Sequence, residues 1–268
     1  MRKLIACLSI LAFVATGMVM YSCKKNASGR NTLSLVDDAT VLSLSSQEYS
    51  KFMTSNPPVT GTPDAEKVKR VGGKLTAAVQ TYLAGKGQAD LIKDYNWEFN
   101  LVNNAEVNAW CLPGGKIVVY SGILPLTPSD TDLAVVMGHE IAHAILKHGN
   151  ERMSQQLLVE FGGQALSVAL SSKPAETQEL FRNAYGISSN LGLLAYSRKQ
   201  ENEADESGLY IMATGSYNPN AAIGFWQRML AQSSGSAVPV FLRTHPSEQQ
   251  RIDNITGLIP KAMAYYKP

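Results

Sequence analysis

Hydrophobic positions along the chain change their period several times, and each change marks a different kind of element. Over residues 32–55, leucines and valines recur at helical spacing and predict a first helix. Asn56-Pro57-Pro58 and Gly61-Thr62-Pro63 then read as a loop. Thr62 can cap a second helix with Pro63 in its first position, carrying Val68, Val71, Leu75 and Val79 on one face toward Gly85. Gly72-Gly73 inside it costs about 1–2 kcal/mol of helix propensity, which points to close packing there. The period next drops to two. Residues 97–102 alternate as a strand, and 107–112 and 116–121 flank Pro113-Gly114-Gly115 as a hairpin. From Ser129, with Asp132 three residues on as in a capping box, the pattern is helical again. It stays helical over 150–217, with a break at Ser171-Ser172-Lys173-Pro174; the Gly/Ala/Ser-rich stretch 161–170 reads as tight helix packing. Asn218-Pro219 opens a helix carrying Phe225, Trp226 and Leu230, and after a Ser/Gly loop at 233–237 a last short helix starts from Pro246. Many helices and few strands predict an α+β fold, mostly helical, with a small antiparallel sheet beside the helix that follows Ser129.

That helix carries His139-Glu140-Ile141-Ala142-His143. Positions four apart on a helix lie about 40° from each other, so both imidazoles leave one face and can hold one metal ion. Glu140 falls on the same side without being a ligand. Two nitrogen ligands and a nearby carboxylate base are what a zinc peptidase requires. A third ligand must come from elsewhere, and Glu201-Asn202-Glu203-Ala204-Asp205-Glu206-Ser207-Gly208 offers one. Glu201 and Asp205 share a helical face with Ala204 and Gly208, whose small size would let this helix approach the first. Glu201 is the expected ligand and Asp205 the carboxylate that orients a ligand histidine. Glu203 and Glu206 are expected to be solvated. A longer signature with glycine at 146 and a third histidine at 149 is absent, since those positions are Leu146 and Gly149. His148, about 140° around a continued helix from His143, is expected at the surface or in the helix's last turn.

Four blocks, in order, carry a resemblance: Asn108-Ala109-Trp110-Cys111-Leu112-Pro113-Gly114-Gly115 with the strand to Gly122, then His139 to His143, then Ser197-Arg198 with Glu201 to Asp205, then Thr244-His245-Pro246 with Arg251-Ile252. Over roughly residues 60–258 the chain resembles the HtpX-like family of glutamate-zincin peptidases, and within it the bacterial periplasmic LoiP/BepA-type members. The resemblance implies a zincin-type metallopeptidase domain binding one Zn²⁺ through His139, His143 and Glu201, with Glu140 as general base. Asp205 corresponds to the family's second acid, sometimes described as a proton donor. An edge strand near Asn108 and Ala109 would align an extended substrate by main-chain hydrogen bonds, which suits unfolded or misfolded envelope proteins. His245 has two open roles at the metal, oxyanion donor or inhibitory fourth ligand, against a surface helix-capping histidine. The alternative function is a lipoprotein stapled by zinc that binds misfolded proteins without cutting them; a closed four-ligand site would favour it.

The N-terminus refines the setting. Met1-Arg2-Lys3 precedes an apolar run from Leu4 to Met20, then Tyr21-Ser22-Cys23. This reads as a signal peptide over 1–22, a lipidated Cys23 with a loose tether over 23–33, and one metallopeptidase domain over 34–268. The expected location is a bacterial envelope, anchored by lipid and facing the periplasm. With Cys7 in the signal and Cys23 acylated, Cys111 has no disulfide partner and reads as a buried small hydrophobe. Lys and Arg number 24 against 22 Asp and Glu, which argues against a nucleic-acid partner. No internal repeat is apparent, and the chain reads as a catalytic module alone, of unknown oligomeric state.

Overall fold

Thr62 and Pro63 do start a helix where the capping chemistry places one: the Thr62 hydroxyl accepts from the Ala65 amide, and the helix spans Pro63–Gly85. The computed structural model describes residues 23–161, 174–187, 195–232, 238–246 and 248–268. The signal segment, the side chain of Cys23, most of the 161–170 stretch, the break at 171–173 and the 233–237 loop lie outside them. In chain order the described elements are β1 (Cys23–Lys25), β2 (Asn31–Leu33), α1 (Asp38–Ser55), α2 (Pro63–Gly85), β3 (Glu98–Val102), β4 (Ala109–Leu112) and β5 (Lys116–Tyr120). There follow α3 (Asp130–Ile145), α4 (His148–Phe161), α5 (Pro174–Ala184), α6 (Arg198–Thr214), α7 (Ala221–Gln232), α8 (Val240–Thr244) and α9 (Gln249–Met263). The last helix thus opens three residues later than Pro246.

Two N-terminal expectations change. The first helix begins at Asp38, because Asp37 caps it by accepting from the Thr40 amide. Residues 23–33 are an antiparallel hairpin and not a loose tether, pairing Lys24 with Thr32. The Asn26 side-chain oxygen accepts the Ser28 and Arg30 amides, and Gly29 takes the positive φ that closes the turn.

The central sheet has the order β3-β5-β4. Pro113-Gly114-Gly115 turns β4 into β5 as expected, with both glycines at positive φ. Because the hairpin inserts β5 between β3 and β4, β5 runs parallel to β3, and the sheet is mixed. Its alternation divides two cores. Leu101, Ala109, Cys111, Ile117 and Val119 pack with α2, α3, α6 and α9, while Val102, Trp110, Leu112, Val118 and Tyr120 pack with α1, α4 and α5. With both faces covered, β4 has no polar face, and all four of its residues are buried. Gly72 answers for the expected close packing: a Cβ there would lie 2.3 Å from the Phe99 ring, whereas at Gly73 it would meet nothing.

α3 is capped by the reciprocal Ser129–Asp132 box and is buried without interruption from Leu133 to Ile145. α6 has its own box, Ser197 with Gln200. The two helices touch where both lack side chains, for a Cβ on Gly208 would sit 3.1 Å from Gly138 C and His139 Cα. Gly208→Ala is therefore expected to destabilise the protein by about 1–3 kcal/mol through backbone displacement, read as a lower denaturation midpoint. An unchanged midpoint would show that the helices can part at no cost.

Candidate metal centre

Crossing α3 and α6 at those glycines brings three of the expected residues together, and α8 delivers a fourth. His139, His143, Glu201 and His245 are 2–3% exposed, and one ligand atom from each lies within 4.8 Å of the others. His139 Nε2 is 3.0 Å from His143 Nε2 and 3.2 Å from His245 Nδ1. Glu201 Oε1 is 3.3 Å from His143 Nε2 and 3.0 Å from His245 Nδ1. Ligands about 2.0–2.1 Å from a tetrahedral zinc are separated by roughly 3.3–3.4 Å, so the four atoms already stand near the corners such an ion needs.

The two α3 imidazoles are held differently. His139 Nδ1 lies 3.0 Å from Asp205 Oδ1. Arg251, from α9, grips Asp205 with Nε and Nη2 at 2.8 and 2.7 Å and reaches Glu201 Oε2 with Nη1 at 2.5 Å. Its guanidinium lies 3.5 Å over the Trp226 ring. His143 Nδ1 instead meets His148 Nδ1 at 3.0 Å, and His148 Nε2 meets Glu203 at 3.0 Å.

Two sequence expectations fail here for one reason each. His148 is fully buried, not at the surface, because Lys147 adopts a left-handed φ of 59° that ends α3 and turns His148 back under His143. The Glu203 side chain is only 15% exposed, because the face of α6 opposite the metal packs on the N-terminal hairpin rather than meeting water. There Glu203 pairs with Arg30, and Arg30 also forks onto Glu151. Glu206 is half-buried and accepts from the Tyr210 hydroxyl.

Glu140 is 3% exposed, and its Oε1 has no hydrogen-bond partner among the described residues; the nearest basic atom is His245 Nε2 at 3.4 Å. Burial pushes this carboxyl up to about 8. Burial alone would lower His139, but the Asp205 and Glu201 carboxylates outweigh it and lift the imidazole to about 9. Burial holds His143 well below its usual range and His245 at about 4. Burial would raise Glu201, yet Arg251 holds it well below the usual carboxylate range. Glu201 and Asp205 share the buried Arg251 guanidinium. The donor set, three imidazoles and a carboxylate, fits zinc.

Asn108 and Ala109 are buried at the start of the edge strand, where Asn108 Oδ1 accepts the Ala109 amide. The Asn108 side-chain oxygen therefore serves its own strand. The preceding carbonyl, Val107 O, accepts from Phe241 N at 3.1 Å, so α8 lies along this edge. Cys111 is a buried free thiol, raised well above its usual pKa by burial. Neither Arg251 nor Tyr196, whose ring centroid is 3.9 Å from that of His143, has a role that the sequence alone indicates. The arginine six residues after His245 was the available signal.

A profile described as Peptidase family M48 matches residues 73–259, more than half of the 268-residue chain. The chain belongs to peptidase family M48. All four residues of the cluster lie within the matched span, and their donor set is that of a zinc site. Relatives include the mitochondrial metalloendopeptidase OMA1 of Schizosaccharomyces pombe, 34% identical over 191 residues, 70% of this chain and 53% of the relative. OMA1 of Saccharomyces cerevisiae is 34% identical over 216 residues, 76% of this chain and 59% of the relative. The β-barrel assembly-enhancing protease of Escherichia coli is 29% identical over 162 residues, 58% of this chain and 33% of the relative. The chain therefore spans little more than half the length of these yeast relatives.

The expected affiliation with periplasmic LoiP/BepA-type members is overturned by this order, since OMA1 proteins match at higher identity and over more of the chain. The periplasm-facing, lipid-anchored localisation falls with it. No described helix is long and apolar enough to cross a membrane.

Proposed function

We propose that this M48 chain is a zinc endopeptidase that cuts extended segments of unfolded or partly unfolded polypeptides, with Glu140 as general base. The carrying observation is the unpaired Glu140 oxygen buried beside a complete ligand set. A site that only staples the fold gains nothing from an orphan carboxylate, whose burial is costly. The names of the relatives, metalloendopeptidases and a protease, point the same way.

When bound, zinc supplies Lewis acidity, polarising a carbonyl and bringing the pKa of a water toward about 7. Glu140 then takes the proton of the attacking water and passes it to the leaving nitrogen. Asp205, doubly bonded by Arg251 and beside His139, is held below the usual carboxylate range by Arg251 against the effect of burial, which supports an orienting role over proton donation. The register, which leaves the Cys111 backbone groups and the Ala109 carbonyl on the side of β4 away from β5, supports pairing of an extended substrate there, with the Ala109 amide already held by Asn108. Such pairing reads backbone rather than side chains, which fits substrates without a fixed fold.

His245 fits the inhibitory role better than the oxyanion role. It supplies the fourth corner, and its segment occupies the Val107 carbonyl. We expect His245→Ala to retain about one zinc per chain and to cleave unfolded casein about ten-fold faster than the wild type, as the competent fraction rises. The closed four-ligand set also favours the staple reading. Full zinc content with no cleavage by either protein would decide for the staple.

A further inference from the structure

The hydrogen bonds behind His143 do not stop at its neighbour. Ligation through Nε2 leaves the His143 proton on Nδ1, so His148 Nδ1 must accept it at 3.0 Å. His148 is then neutral with its own proton on Nε2, which donates to Glu203 Oε2 at 3.0 Å. Glu203 is fixed from the other side by Arg30 Nε at 2.6 Å and Asn26 Nδ2 at 3.2 Å. Arg30 is itself anchored by two bonds to Glu151, at 2.6 and 2.7 Å. Each donor faces an acceptor, so the tautomer of every group follows from the first. His139 is oriented by a carboxylate and an arginine directly. His143 has the same two parts, placed one imidazole further out, and its arginine comes from the N-terminal hairpin.

We propose that Arg30, Glu203 and His148 are positioning residues for the zinc ligand His143, so that docking of the β1–β2 hairpin sets the affinity of the metal centre. The hairpin is short, and a pair of strands this small has little stability of its own. Its hold on the domain rests in part on Arg30, which pairs with acids on both α4 and α6. Undocking it strips the countercharge from Glu203 and frees His148 to turn, and His143 loses the acceptor that fixes its ring. Outer partners of ligand histidines are worth about 10–100-fold in metal affinity.

The inference rests on the zinc reading of the centre and not on the cleavage reaction. In the full chain, zinc dissociation constants are measured by competition with a chromogenic chelator, below the melting temperature of each variant as checked by circular dichroism. Arg30→Ala should weaken zinc about ten-fold and His148→Leu about 10–100-fold. His148→Gln should stay close to wild type, because its amide oxygen accepts from His143 and its amide nitrogen donates to Glu203. With cobalt(II) in place of zinc, the visible spectrum should change in His148→Leu and not in His148→Gln. Wild-type affinity in a folded Arg30→Ala, or equal losses in the two His148 variants, would overturn the proposal; the His148 pair decides it if Arg30→Ala does not fold. Zinc-loaded wild type that cuts nothing would instead overturn the reaction and leave this relay standing.

Discussion

Glu140→Gln is expected to keep its zinc and its fold and to lose proteolysis by about 10²–10⁴-fold or more. The substitution is nearly isosteric in a helix buried on every side, so α3 has no reason to move. It touches no ligand atom, since Glu140 is not among the four residues whose donor atoms converge. What it removes is the one group placed to accept a proton from water. The neutral amide also ends a burial cost, because the wild-type carboxyl is pushed up to about 8 by desolvation. Thermal stability of the apoprotein should therefore be unchanged or slightly higher. Casein cleavage by Glu140→Gln near the wild-type rate, at equal zinc content, would reject Glu140 as the base.

The ligand face was legible because periodicity alone places His139, His143 and Glu140, and small residues alone mark where α6 can cross. Both arguments use one helix at a time. The misplacements came where a second element decides. Extending α3 past Ile145 puts His148 at the surface, and a single left-handed residue, Lys147, reverses that direction. Glu203 reads as solvated because nothing in α6 itself shows that another element covers its far side. The cover is the hairpin of residues 23–33, whose polar sequence reads as loose until Asn26 and Gly29 close its turn. The first helix reads as starting early for a related reason, since Thr32, Leu33, Leu35 and Val36 suit an extended chain as well as a helix. Arg251 was hidden differently: a charged residue on an amphipathic helix looks solvated, and only the buried pair Glu201 and Asp205 gives it a place inside. The motif blocks lead as far as M48 membership and mislead on the branch, since OMA1 proteins match at higher identity and over more of the chain than the bacterial protease.

Glu201→Ala should do more damage than its lost ligand. The carboxylate has two duties, with Oε1 toward the imidazoles of His143 and His245 and Oε2 toward Arg251. Without it zinc keeps only histidine donors, and Arg251, 5% exposed, keeps Asp205 as its single acidic partner. Removing one member of a buried ion pair costs about 3–5 kcal/mol, because the remaining charge stays desolvated. The expected result is zinc content far below one equivalent after gel filtration and a folded state weaker by about 3–5 kcal/mol in denaturant unfolding. Glu201→Gln separates the duties, since its amide fills the same volume and can still face Arg251 through its oxygen, but offers zinc no anionic ligand. It should recover most of the stability and little of the metal. Full zinc occupancy in Glu201→Ala would remove this residue from the ligand set, and equal stability of the two variants would show that the Arg251 contact contributes nothing.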